Sequence, residues 1–373
     1  MTTSNPFVER YIGDGAMGQV YELIGHKPPA VIKYMFCGND AQLEIFKNEC
    51  EALKKIYHIN VVRLYRYTEE GIKVGIVMEY CQKGPLKGVI LDPTITYSMN
   101  TVLTWGIQLF DAIDHMYQKH QLVHRDIKPD NIFVTNEYQL KIGDFGLVKV
   151  VGDGTVTGTF GIGTQRYMSP PEMKEDGAQR DVYEQIEKAD VSNSHRNDVY
   201  SLGLVMWEII ERRTIFTNYE VSGMFFDRDQ LLFDIALKRV TEIESPECQS
   251  EVQEIILGCT NFQRIHRPKA AEVLDFLKQT QKANEFISSL PFMPTEDKNQ
   301  KELKKPIGFD DRTEGVMVES EERKYEKRFE AGSKLKERVY ALIKMEWTTP
   351  HIRLIDYQGN PRTEWLKFGA VAE

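Results

Sequence analysis

Short β-like runs fill the chain from Val8 to about Gly84: Val20-Tyr-Glu-Leu, Val31-Ile-Lys-Tyr-Met, Val61-Val-Arg-Leu-Tyr and Val74-Gly-Ile-Val-Met. One amphipathic segment, Ala41 to Ile56, interrupts them at helical spacing, so the pattern predicts a small strand-rich lobe carrying a single helix. From Asn100 to about Ala283 the period changes. Leu109, Ile113 and Met116 are spaced for one buried helix face, Leu202 to Ile210 is almost entirely apolar, and Ala270 to Leu277 is amphipathic. This predicts a second, mainly α lobe. Past it the composition turns to dense mixed charge with few large apolar residues, read as a charged linker over 284–322. In the remaining segment, 323–373, the stripe Tyr325, Phe329, Leu335, Val339, Leu342 and Ile343 predicts a helix, followed by a hairpin around Tyr357-Gln-Gly-Asn-Pro. There is no internal repeat.

Length and charge narrow the classes. With 373 residues, 41% of them hydrophobic, the chain has apolar surface for two or three domains at roughly 150 residues each. Its net charge of −9 and pI near 5.6 argue against gripping phosphate backbones, so nucleic acid is not expected as a partner. Met1 to Asp14 lacks the basic and apolar regions of a leader, and the longest apolar stretch, Gly203 to Ile210, is too short to span a bilayer. A soluble cytoplasmic protein without a membrane partner is expected. Cys37, Cys50, Cys81, Cys248 and Cys259 are odd in number and lack close pairs, so they read as reduced thiols.

Chemistry enters at Gly13-Asp-Gly-Ala-Met-Gly18-Gln-Val20, a glycine triplet followed by a strand pattern and not by the helix a dinucleotide fold would need. A glycine loop before a strand can lie over phosphates without side chains intervening. Fifteen residues on, Lys33 sits on what should be a buried strand, where an unpaired ammonium would cost several kcal/mol. Glu49 on the Ala41–Ile56 segment and the phosphates of a nucleotide would serve as its partners. The specific signal is Val123-His-Arg-Asp-Ile-Lys-Pro-Asp-Asn-Ile-Phe133 with Asp144-Phe-Gly eighteen residues after Asp126. A carboxylate to orient an acceptor hydroxyl and two oxygen ligands for a phosphate-bound metal are supplied by Asp126, Asn131 and Asp144.

Across residues 7–283 this order of motifs resembles the eukaryotic-type serine/threonine protein kinases. The resemblance implies an α+β, two-lobed kinase fold, with a β-rich N-lobe over about 7–81, a mainly α C-lobe over about 82–283, and an additional C-terminal segment. It implies ATP and Mg²⁺ as cofactors and a protein substrate with a Ser or Thr acceptor. By the same resemblance Asp126 is the catalytic base, Lys128 contacts the γ-phosphate, Lys33 holds the α/β-phosphates paired with Glu49, and Asn131 and Asp144 ligate Mg²⁺. Ile12, Gly13, Gly15, Gly18, Val20, Val31, Met78, Glu79, Cys81 and Phe133 line the nucleotide site, with Met78 as gatekeeper and Glu79 to Cys81 as hinge. Lys128 and Thr164 match the serine/threonine class, the hydroxyl of Thr164 tying to Asp126 and Lys128. The string Gly-Thr-Gln-Arg-Tyr-Met-Ser-Pro is shared by several serine/threonine groups, among them stress kinases acting on translation initiation factor 2.

Three positions depart from the family pattern. Val31 replaces the usual alanine above the adenine. Ser169-Pro170-Pro171-Glu172 carries an extra residue before the glutamate expected to pair with Arg267. The stretch 173–197, ahead of the helix-anchoring Asp198, is long and polar and reads as a surface insertion. Arg125 next to Asp126 wants an anion, and a phosphate on Thr155, Thr157 or Thr159 would supply it, which makes activation-loop phosphorylation the expected regulation. The tail helix is expected to dock in cis or to dimerise the chain. The alternative reading is a catalytically impaired, pseudokinase-like scaffold acting through its C-terminal segment.

Overall fold

The computed structural model describes residues 7–15, 18–151, 164–171, 195–221 and 225–308. The expectations for Thr155, Thr157 and Thr159, for Glu172, for most of the 173–197 insertion and for the helix and hairpin past residue 322 lie outside the described residues. The chain divides into two compact units; the described part of one is 7–217 and 242–308, and that of the other lies within 218–241.

Five antiparallel strands open the first unit: β1 (Val8–Gly15), β2 (Gly18–Ile24), β3 (Ala30–Phe36), β4 (Leu64–Glu70) and β5 (Lys73–Glu79), in the order β1-β2-β3-β5-β4. Helix α1 (Asp40–Lys55) interrupts them, as the periodicity predicts. Asn39 caps it by accepting from the Gln42 amide at 2.9 Å, with Asp40 in the first turn and Lys54 and Lys55 in the last matching the helix dipole. The run Val61-Val-Arg-Leu-Tyr, expected as a strand, only enters β4 at Leu64. Val61 and Val62 are instead buried against the backbone of Ile142, Val62 donating to its carbonyl at 2.9 Å, so tertiary pairing overrides their β propensity.

The helical lobe begins with β6 (Gly84–Pro85), α2 (Leu86–Leu91) and β7 (Ile95–Thr96), and its centre is α3 (Met99–His120). Ser98 and Thr101 form a reciprocal capping box at its start, and Gln121 ends it in the left-handed region at φ 53°. Short strands β8 (Leu122–Val123), β9 (Ile132–Val134), β10 (Leu140–Ile142) and β11 (Lys149–Val150) follow; β6, β9 and β10 form one sheet and β8 pairs with β11. Helix α4 (Arg196–Glu211) is buried along nearly its whole length, as the almost entirely apolar run Leu202–Ile210 predicts for that part of it.

In the second unit, β12 (Glu220–Val221) and β13 (Phe225–Phe226) pair antiparallel, and Asp227 caps α5 (Arg228–Ala236). Leu232 and Phe233 are its buried core, and Asp234 accepts from the Tyr219 hydroxyl and pairs with Arg239. Back in the first unit come α6 (Ser250–Cys259) and α7 (Ala270–Ala283), the latter packed on α3.

Residues 284–308 correct the linker expectation. They form α8 (Glu285–Ser289) and β14 (Thr295–Glu296), which pairs with β7. Asn100 donates to the Leu290 carbonyl, Thr101 to that of Phe292, and Arg212 to that of Lys304, while Ile307 exchanges backbone bonds with Tyr97 and Met99. These bonds run to backbone groups, of which composition carries no record, and the side chains of Glu296, paired with Lys83 and Tyr138, and Lys305, paired with Glu211, add to them.

Candidate active site

Strand β3 carries Lys33 between Val20 of β2 and Ile76 of β5, and alternation turns its side chain inward, where it is 9% exposed. Its ammonium donates to both oxygens of Glu49 and to Asp144 Oδ1, each at 3.1 Å. Glu49 lies on the buried face of α1 beside Cys50 and Leu53. Burial alone would lower the pKa of Lys33, but the two carboxylates outweigh it and hold the group above the ordinary lysine value. Burial likewise opposes ionisation of Asp144, yet Lys33, with His124 and Lys128 beyond it, brings its pKa below the usual aspartate value. One cation therefore faces two carboxylates. Burial raises the Glu49 pKa, against the lowering effect of Lys33.

The second cluster is nearly all local chain. Asp126 Oδ2 accepts from Lys128 at 2.9 Å and from Asn131 Nδ2 at 2.7 Å, and Oδ1 accepts from the Thr164 amide at 3.0 Å. Lys128 also donates to the Thr164 hydroxyl. A 3₁₀ turn over Pro129–Asn131 swings Asn131 back under Asp126, and its amide donates to the Asp126 carbonyl as well, at 2.9 Å. Below this loop the buried carboxylate of Asp198, at the start of α4, accepts from the His124 and Arg125 amides at 2.7 and 2.9 Å. Burial pushes the Asp198 pKa up, against the lowering effect of His124 and those bonds.

The glycine segment and the nucleotide-site residues fall on the sheet. Gly13 and Gly15 lie on β1 and Gly18 opens β2, opposite Gly15. Gly18 has a packing reason to be glycine: a Cβ there would stand 1.8 Å from the Tyr34 carbonyl oxygen, whereas one on Gly13 would meet nothing within 4 Å. Val20 pairs with Lys33, and Val31 with Met78, so these four are neighbours on adjacent strands. Ile12 is exposed on β1 and has no described contact with the charged clusters. Phe133 on β9 packs its ring on Gly143, just ahead of Asp144, where a Cβ would come within 2.8 Å of it. Glu79 pairs with Lys141 at 3.0 Å, and burial pushes the Cys81 thiol up to about 12. Arg267 is buried, donating to the carbonyls of Asn261, Phe262 and Arg196; the expected partner Glu172 lies outside the described residues.

Two contributors were not singled out by sequence reasoning. His124 is fully buried, its Nε2 donating to the Gly143 carbonyl at 3.0 Å and its ring edge-on to Phe145, which ties the Asp126 loop to the Asp144 segment. Lys141 is buried on β10 and, besides Glu79, bonds the Ile59 carbonyl at 2.6 Å. Its signal was available: like Lys33, it is a lysine between two apolar strand residues.

A five-stranded sheet over a helical lobe, with a lysine-glutamate-aspartate cluster facing an aspartate-lysine-asparagine loop, defines the two-lobed protein kinase fold. The family model described as protein kinase domain matches residues 7–276, and the chain belongs to that family. Among its relatives are a probable serine/threonine-protein kinase of Dictyostelium discoideum, 28% identical over 74% of this chain and 15% of that protein, and serine/threonine-protein kinase Nek2 of Homo sapiens, 28% identical over 63% and 50%. LysM domain receptor-like kinase 3 of Arabidopsis thaliana is 31% identical over 57% of this chain and 31% of its own. The chain spans between 15% and half the length of these relatives. Among the described residues, no helix is long and apolar enough to cross a membrane.

Proposed function

We propose that the chain is an ATP- and Mg²⁺-dependent kinase transferring the γ-phosphoryl group to serine or threonine hydroxyls of protein substrates. The observation that carries this reading is the setting of Asp126, whose carboxylate is oriented by Lys128, Asn131 and the Thr164 amide together. Asp126 would accept the hydrogen bond of the acceptor hydroxyl and receive its proton late in transfer. Lys128, already on Asp126 and Thr164, would lie along the transferring phosphoryl group, and its contact with Thr164 favours Ser/Thr over Tyr acceptors. Lys33 would hold the α/β-phosphates, kept charged and in place by Glu49.

The donor set fits Mg²⁺. Asp144 is held ionised and gives only Oδ1 to Lys33, and Asn131 spends its amide nitrogen on Asp126, leaving its amide oxygen for a ligand. Two protein oxygens suit an ion that completes its shell from phosphates and water. Asp144 and the Asn131 amide oxygen would hold the ion, which would supply positive charge against the phosphates.

The finer parts of the proposal are regulation and place. The Arg125 guanidinium, whose pKa burial lowers and Asp198 raises, would be met by a phosphate on Thr155, Thr157 or Thr159. The proposal includes a cytoplasmic location, supported by five free, buried thiols of the kind a reducing compartment keeps. The test is transfer of labelled γ-phosphate from ATP·Mg²⁺ to an array of Ser-, Thr- and Tyr-containing peptides, with Asp126→Asn as control. Label on Ser or Thr peptides that the control lacks supports the reading. Nucleotide binding with no transfer under any phosphorylation state, or equal labelling by the control, overturns it.

A further inference from the structure

Residues 284–308 lie beyond the stretch 7–276 that matches the kinase family, yet they bear on the chain just after Glu79–Cys81, the expected hinge. Strand β5 ends at Glu79, and the chain turns before α2, the Gly84 amide donating to the Cys81 carbonyl at 3.0 Å. Lys83 is held in this turn from two sides. Its amide donates to the Val134 carbonyl of β9 at 3.1 Å, and its ammonium pairs with Glu296 Oε1 of β14 at 2.5 Å. The same oxygen accepts from the Tyr138 hydroxyl at 2.6 Å, and the Lys83 ammonium stands 4.2 Å from the centre of the Tyr138 ring. The bonds from Lys83 and Tyr138 hold the Glu296 carboxyl below the usual glutamate value, so it is ionised at neutral pH.

Arg212 fastens the other end of α2. It closes α4 at φ 54°, in the left-handed region that favours glycine. Its guanidinium is buried, and its five N–H groups meet five backbone carbonyls: Val89 at 3.4 Å, Ile90 at 3.0 Å, Asp92 at 2.7 Å, Ile95 at 2.7 Å and Lys304 at 3.0 Å. Val89, Ile90 and Asp92 form the end of α2, where carbonyls lack partners within the helix, and Lys304 belongs to the segment past the family match. Without that segment one buried N–H loses its acceptor; without Arg212, carbonyls on both sides lose their donor. The carbonyls that it collects account for an arginine where glycine would fit the backbone.

We propose that residues 284–308 are a strap that sets the nucleotide site, with Glu296 and Arg212 as its positioning residues: Glu296 acts through Lys83 on the turn after Glu79–Cys81, and Arg212 acts through the end of α2. A turn pinned at both the backbone and the side chain of Lys83 presents the Glu79–Cys81 backbone in one arrangement. Loosening it lowers affinity for the nucleotide and leaves the Asp126 cluster as it was. Glu296 is half exposed, so its pair bears on position more than on stability. This inference rests on the kinase reading for the role of Glu79–Cys81, and the attachment of the strap does not.

The experiment compares the full chain with Glu296→Lys, with the swap Lys83→Glu plus Glu296→Lys, and with Arg212→Gly, by calorimetry with ATP·Mg²⁺, by steady-state transfer and by hydrogen exchange read over residues 82–97 and 295–308. Glu296→Lys should weaken ATP binding and raise KM for ATP by about threefold, within what a part-exposed ion pair contributes. It should keep kcat within about twofold and speed exchange of the Lys83 and Gly84 amides several-fold. The swap should recover most of both losses. Arg212→Gly suits the left-handed backbone, so faster exchange at Ile95 and Ile307 together would report the lost guanidinium and not a strained turn. Unchanged ATP affinity in Glu296→Lys overturns the positioning role, whatever the exchange, and a swap that recovers nothing removes the Lys83 pair from it. Release of only one of the two segments in Arg212→Gly overturns the coupling through Arg212, and the Glu296 arm decides the proposal even where that variant does not fold. If the parent binds no nucleotide, the kinase reading has failed and the exchange still judges the strap.

Discussion

Lys33, Glu49 and Asp144 come from a strand, a helix and a loop, separated by up to 111 residues, whereas Asp126, Lys128 and Asn131 lie within six residues of chain and draw Thr164 in from farther along it. The first cluster exists only while α1, β3 and the Asp144 segment are brought together by packing. The second is organised by one loop, a 3₁₀ turn and the Asp198 anchor beneath it. Its groups lose little freedom on meeting a substrate, because the chain has already ordered them. The long-range cluster is the part of the site that a movement of the lobes can make or break.

Asp126→Asn separates the two most sharply. Removing the proposed base from an otherwise intact loop should lower phosphoryl transfer by about 10² to 10⁴-fold, with ATP affinity within about threefold by calorimetry. A comparable loss of affinity would mean that the clusters do not act independently.

Lys33→Met should cost about 3–5 kcal/mol in chemical denaturation, since it strands the buried Glu49 carboxylate, 1% exposed, beside Asp144. Combining it with Glu49→Leu should restore most of that stability while leaving the protein without transfer activity. If the double variant is no more stable than the single, the pair is not the source of the cost.

Gly18→Ala drives a Cβ against the Tyr34 carbonyl, next to Lys33, and overpacking of this kind costs about 1–3 kcal/mol. Gly13→Ala, with open space around its Cβ, should leave the thermal midpoint unchanged. Equal midpoints for the two variants would show that β3 yields freely and that the long-range cluster is less exacting than its geometry suggests.

Asp144→Ala should weaken Mg²⁺-dependent ATP binding by about tenfold, about 1.4 kcal/mol, and leave binding measured without Mg²⁺ nearly unaltered. Calorimetry in the presence and absence of the metal reads both. A Mg²⁺-dependent affinity equal to the parent's would remove Asp144 from the metal site.

Legibility in the sequence follows the same division. Helix α1 was readable from its amphipathic spacing, and α4 from its continuous apolar run, because helical period and burial are written locally. The Asp126 loop was readable as a string for the same reason. Strand β4 was misplaced because Val61 and Val62 are bound by Ile142, eighty residues away, and no local pattern registers that pairing. His124 and Lys141 escaped notice because their importance lies in the carbonyls of Gly143 and Ile59 that they meet.

The residues after Leu290 are the clearest case of what tertiary structure alone decided. Their charge and scarcity of large apolar side chains predict a linker, yet Ser98, Asn100, Thr101 and Arg212 hold their carbonyls against the helical lobe. By itself the sequence determined which side chains are available for chemistry and where along the chain helix and strand periods run. Which groups meet, with what charge balance, and at which backbone they end, depended on the fold. Hydrogen-bond and Coulomb energies act over a few ångströms of space, and distance along the chain does not enter them.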